Sequence, residues 1–184
     1  MTQHEPPADT PPQAGGTPSD APADPESVAR TILLRRLTDQ PRSRAELAGF
    51  LAKKHVPDDV AESVLDRFEE VGLIDDEDFA RSWVQSRQRS RGLAAKVLAM
   101  ELRRKGIDDD TSREVLADLD PEVERQNAHR LVQKKLRSMR GLDSTTQIRR
   151  LTGMLARKGY APQVAFDVVR AELEAVEMQE QDST

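Results

Sequence analysis

The 184-residue chain contains no cysteine, one tryptophan, one tyrosine and four phenylalanines. The first absence excludes disulfides, thiolate nucleophiles and cysteine-ligated metals, and it fits a reducing compartment. Aromatics are only 3% of the chain while 33% is charged, so any core must be aliphatic and thin. No stretch approaches the roughly 18 apolar residues of a membrane helix, and the start lacks the basic flank and apolar run of a signal peptide. The expectation is a cytoplasmic protein with no membrane contact. Phosphate loops of the Walker type, dinucleotide fingerprints and HExxH are also missing. His4, His55 and His129 lie too far apart in sequence to suggest a metal site. No nucleophile, base and orienting group can be assigned from spacing. No cofactor, no metal and no enzymatic activity are expected.

The N-terminus differs in kind from the rest. Residues 1–25 hold seven of the 11 prolines, with Gly15, Gly16 and small polar residues between them. Such a segment has little apolar surface to offset its ordering entropy, so it reads as a disordered tail. Residues 1–26 also carry five acids and no Lys or Arg. The remaining 28 acids then equal the 28 bases, so the overall charge of −5 says little about the body of the protein.

From Val28 onward the apolar period is helical and no alternating strand pattern of useful length appears. Ser43 with Glu46, and Ser144 with Gln147, have the spacing of a capping box. Pro57, Pro121 and Pro162 suit first turns, and Gly72, Gly106, Gly141 and Gly159 suit left-handed helix stops. Nine helices fit between these marks.

The nine fall into three repeats. Leu47, Leu51, Lys54, Val56, Val64 and Leu65 align with Leu98, Leu102, Lys105, Ile107, Val115 and Leu116. Both sets align with Leu151, Leu155, Lys158, Tyr160, Val168 and Val169 at identical internal spacing. About 50 residues is too few for a robust independent core, so neighbours should share interfaces. The predicted fold is all-α: three tandem three-helix repeats over 26–73, 74–120 and 121–178, forming an elongated, curved array. Residues 179–184 are expected to be a disordered C-terminus.

Charge is segregated within this frame. Residues 81–105 hold eight bases against Glu101 alone, and 125–158 hold ten against Asp143 alone. The third helices are acidic, as in Asp58, Asp59, Glu62, Asp66, Glu69 and Glu70. Two long basic runs point to an anionic partner surface, which charge alone leaves open between a phosphate backbone and an acidic protein groove. Few aromatics are available to stack single strands, and Trp83 falls on an apolar stripe. The acids Asp75 to Asp78 read as a helix start, where negative charge complements the macrodipole.

Two motifs carry a family resemblance. Gly72-Leu-Ile-Asp-Asp-Glu-Asp-Phe-Ala-Arg-Ser-Trp-Val-Gln-Ser-Arg87 resembles the central signature of the RecX regulatory family. Arg91-Gly92 through Leu98, Glu101-Leu102 and Lys105-Gly106-Ile107 resembles the pattern that follows it. Arg42 to Leu47 is similar to the family's first repeat and Arg157-Lys158-Gly159-Tyr160 to its third, a match over roughly 28–177. His55-Val56 departs from the usual Lys-Gly-hydrophobic turn, and Arg91-Gly92-Leu93-Ala94 from a frequent Gly-Tyr-Gly-Pro.

The resemblance implies a RecA recombinase regulator that lodges in the groove of RecA–DNA filaments. Such a protein restrains ATP hydrolysis, filament extension and strand exchange in recombination, repair and the SOS response. The implied partners are the RecA filament and single- or double-stranded DNA, with the chain a monomer. Candidate contact residues are Arg81, Arg87, Arg89, Arg91, Arg103, Arg104 and Lys105, extended by Lys134, Lys135, Arg137, Arg149 and Arg150. The alternative is an architectural DNA-binding protein that acts by competing for DNA.

Overall fold

Asp24 accepts a hydrogen bond from the Ser27 amide and Pro25 occupies the first helical position, so the first described helix starts there. A computed structural model describes residues 24–139 and 141–182, with the backbone alone at 180 and 182. The described residues form nine α-helices and no strand. They are α1 Pro25–Asp39, α2 Arg44–Lys53 and α3 Asp58–Glu70, then α4 Asp76–Arg91, α5 Ala95–Arg104 and α6 Asp109–Ala117, and finally α7 Pro121–Leu136, α8 Ser144–Arg157 and α9 Pro162–Asp182. The expected tail lies outside the described residues up to residue 23. The C-terminus differs from the expected boundary at 178, because α9 stays helical to Asp182.

Extensive helix packing is confined to three units, α1–α3, α4–α6 and α7–α9. Each unit has its own aliphatic core. Leu33, Leu47, Leu51, Leu65 and Phe68 fill the first; Phe79, Val84, Leu98, Leu102 and Val115 the second; and Val132, Leu151, Leu155, Tyr160 and Val168 the third. Leu51, Leu102 and Leu155 are each 0% exposed, so the repeat register rests on the most deeply buried positions.

The second helix of every unit ends in the same way. The amides of Val56, Ile107 and Tyr160 donate to the carbonyls of Leu51, Leu102 and Leu155, closing a Schellman turn. The residue before each has positive φ: His55 at 57°, Gly106 at 76° and Gly159 at 93°. His55 is the sole non-glycine with positive φ among the described residues.

Several local expectations are corrected. Asp143, not Ser144, caps α8, accepting from the Thr146 amide, while the Gln147 side chain donates to the Met139 carbonyl. A carboxylate one residue upstream outcompetes the neutral hydroxyl for the free amides. Pro57 is the N-cap of α3 rather than a first-turn residue. Gly141 has positive φ but lies five residues beyond Leu136, where α7 ends, so it shapes the connecting turn. Val71, at the C-cap of α3, is 60% exposed although it follows the buried Phe68 at helical spacing. Ser43 and Glu46 do form a full capping box.

Candidate functional site

The units meet at two junctions built alike, and these junctions set where the cations stand. Between units 1 and 2, Ser43 Oγ donates to the Lys105 carbonyl at 2.6 Å and the Arg44 amide donates to Asp76 Oδ1 at 2.8 Å. Between units 2 and 3, the Ala94 amide donates to the Lys158 carbonyl at 2.9 Å and the Ala95 amide to Glu124 Oε2 at 3.0 Å. In both, the amide end of one unit's second helix receives the carbonyl end of the next unit's second helix. Each thereby satisfies groups a helix terminus leaves bare. Burial raises the Asp76 carboxyl above its ordinary range, partly offset by the bond from Arg44.

Four candidate cations are absorbed by these contacts and by ion pairs within units. Arg87 stacks 4.0 Å from the centroid of Trp83 and approaches Glu101 at 3.2 Å. Lys105 lies 4.4 Å from the same centroid and donates to Glu46 across the junction at 2.6 Å. The indole N–H donates to Glu101 at 2.9 Å. Trp83 is therefore only partly a core residue; its ring also holds two cations. Arg81 pairs with Glu77 and Asp118, and Arg103 with Asp109.

The other eight are free. Arg89 and Arg91 on α4, Arg104 on α5, Lys134 and Lys135 on α7, Arg137 beyond it, and Arg149 and Arg150 on α8 are all exposed. Their side chains form no ion pair among the described residues.

A basic cluster in unit 1 escaped the sequence reading. Phe50 on α2 is half-buried, with Arg36, Arg42 and Lys53 at 4.4, 5.4 and 5.9 Å from its ring centroid. The signal was present, since residues 35–54 hold six bases against Asp39 and Glu46. The bases come from two helices and the turn between them, so no continuous run announces them.

No group of three or more acidic or histidine side chains suited to a metal occurs among the described residues. The acids at 75–78 start α4, with Asp75 capping through the Asp78 amide. His129 Nδ1 is 2.7 Å from Glu172 Oε1, which ties α7 to α9. Among the described residues no helix is long and apolar enough to cross a membrane.

Tyr160 gives the second junction a pH limit. Its hydroxyl donates to the Gly92 carbonyl at 3.0 Å, and burial, reinforced by Glu124, pushes its pKa from 10.0 up to about 12. The neutral phenol is thus favoured in the folded chain. Its contribution is complete below pH 10 and is lost as pH rises to about 12. Urea titrations across that range should show a steeper alkaline loss of stability in the unaltered chain than in Tyr160→Phe. Parallel curves would mean that the hydroxyl carries no such linkage.

Family models cover each unit. The first three-helix domain of RecX matches residues 29–68, the second 75–116 and the third 122–169. The chain belongs to the RecX family. A Regulatory protein RecX from Thermobifida fusca (strain YX) is 49% identical over 157 residues, covering 85% of this chain and 85% of that protein. The protein of that name from Streptomyces lividans is 52% identical over 153 residues, covering 83% of this chain and 81% of its own. The one from Mycolicibacterium smegmatis is 50% identical over 175 residues, with 88% and 93% covered. A crystal structure of RecX from Lactobacillus salivarius matches with a TM-score of 0.74 at 21% identity, covering 81% of this chain and 97% of that one. At that identity the likeness speaks for the fold. As a RecX-family chain, the protein has the tandem three-helix architecture read from its leucines.

Proposed function

We propose that this chain regulates RecA by docking along the RecA–DNA filament, limiting ATP hydrolysis and strand exchange. The observation that carries the reading is the set of eight exposed, unpaired cations on units 2 and 3. Cations already paired within a chain give little to a partner, whereas free ones can meet acidic protein or phosphate. Several weak contacts spaced along linked units act together through effective concentration. Arg36 and Lys53 beside Phe50, which form no ion pair among the described residues, extend the same chemistry into unit 1.

The test is DNA-dependent ATP hydrolysis by the cognate RecA in moderate salt, with this protein titrated in. Inhibition well below one molecule per RecA subunit is expected. Inhibition that appears only at ratios saturating the DNA would instead place the effect in competition for DNA. No inhibition at any ratio would remove the proposed role.

A further inference from the structure

Each inner junction needs two complementary halves, and the outer ends of the array carry altered versions of both. One half is the turn that closes a second helix. At Gly106 a Cβ would collide with the Cβ of Ala45, and at Gly159 it would lie 2.8 Å from Val97 Cγ2 and 2.9 Å from the Val97 amide nitrogen. Glycine is what allows the turn to seat. Among the described residues the equivalent turn of unit 1 faces no further unit, and it carries His55 at the same point, in the left-handed conformation that glycine adopts at no steric cost. A non-glycine retained there keeps strain of a kind that persists only where the surroundings hold it.

The other half is the open start of a second helix. Ser43 and Ala94 are the N-caps of α2 and α5, each eight residues before the buried leucine, as Leu51 and Leu102 show. In unit 3 the cap is Asp143, twelve residues before Leu155. The α8 helix has 14 residues where α2 and α5 have 10. The four extra residues add one turn, about 6 Å of helix. That turn, 144–147, covers the place where a neighbour's turn would seat. The amide equivalent to that of Ala94 belongs to Gln147, and it already donates to the Asp143 carbonyl at 3.0 Å. Arg149 and Arg150 stand where unit 1 has Ala45 and Glu46. A Lys54 arriving as Lys105 does would therefore meet Arg150 instead of a carboxylate.

We propose that both ends of the array are closed against a second copy of this chain: at unit 1 by His55, and at unit 3 by the extra turn of α8 with Arg149 and Arg150. The two blocks differ in kind, one a strained side chain on a turn, the other an added turn with inverted charge. Either suffices to prevent head-to-tail stacking, which would otherwise repeat the inner junction without limit.

Sedimentation velocity on the full chain tests this. The unaltered protein and His55→Gly should each remain a single monomeric species as concentration rises. A chain carrying H55G with D143G, T146G, Q147S, R149A and R150E opens both ends. It should form a concentration-dependent series of at least twice the monomer mass. The converse variant, Gly106→His, places the blocking side chain at an existing junction. There the amide of Arg44 should lose hydrogen-exchange protection while the amides of Leu51 and Leu102 keep theirs. A helical, opened chain that stays monomeric overturns the proposal. So does self-association of the unaltered protein, or undiminished protection at Arg44 in the G106H chain.

Discussion

Replacing Gly159 with alanine is expected to cost about 2–5 kcal/mol, combining left-handed strain of about 1–2 kcal/mol with overpacking of about 1–3 kcal/mol. The added methyl would press on the backbone nitrogen of Val97 as well as its side chain, and backbone cannot rotate out of the way. Three contacts depend on that close approach: the Ala94 amide to the Lys158 carbonyl, the Lys158 ammonium to the Arg91 carbonyl and the Tyr160 hydroxyl to Gly92. Burial and the Arg91 charge hold the Lys158 pKa below its ordinary value, which marks how enclosed this contact is. Gly141→Ala is the control. It has similarly positive φ, 95° against 93°, but nothing within 4 Å of the added carbon, so it should show the strain alone. Chemical denaturation of both variants separates the two contributions. Equal losses would mean that the Gly159 junction is not tightly packed.

The second large effect concerns the proposed filament contact. Reversing Arg89, Arg91 and Arg104 to glutamate should weaken inhibition of RecA ATP hydrolysis at least tenfold. Three lost contacts at about 0.2–1 kcal/mol each, together with repulsion of comparable size from three introduced carboxylates, reach the roughly 1.4 kcal/mol that a factor of ten requires. All three side chains are exposed and unpaired, so the helical circular-dichroism signal should not change. A triple with Arg87 in place of Arg104 would be a poorer probe, because Arg87 is stacked on Trp83 and lies against Glu101. Unaltered inhibition by the exposed triple would remove these residues from the contact surface.

The repeat frame was legible because it is written in side chains that must be buried. Leu51, Leu102 and Leu155 recur at matched positions, and each lies at the centre of its unit. The roles of the cations were harder to read. Arg87 and Arg89 are two residues apart, which on an α-helix turns them about 200° from each other. One is drawn onto the Trp83 ring while the other faces solvent, although the basic run treats them alike. The junctions were hidden for a different reason. They are made largely of main-chain groups and of the missing Cβ atoms of glycine, neither of which leaves a periodic mark. The extra length of α8 was legible to within one residue, because Ser144 and Gln147 imitate a helix start one residue after the real one.

Among the described residues, the middle unit alone presents both a glycine turn to the unit before it and an open helix cap to the unit after it. A change in array length by gene duplication could therefore proceed by copying residues 74–120. Each inserted copy would bring both a glycine turn and an open helix cap, and the two end units would still close the series.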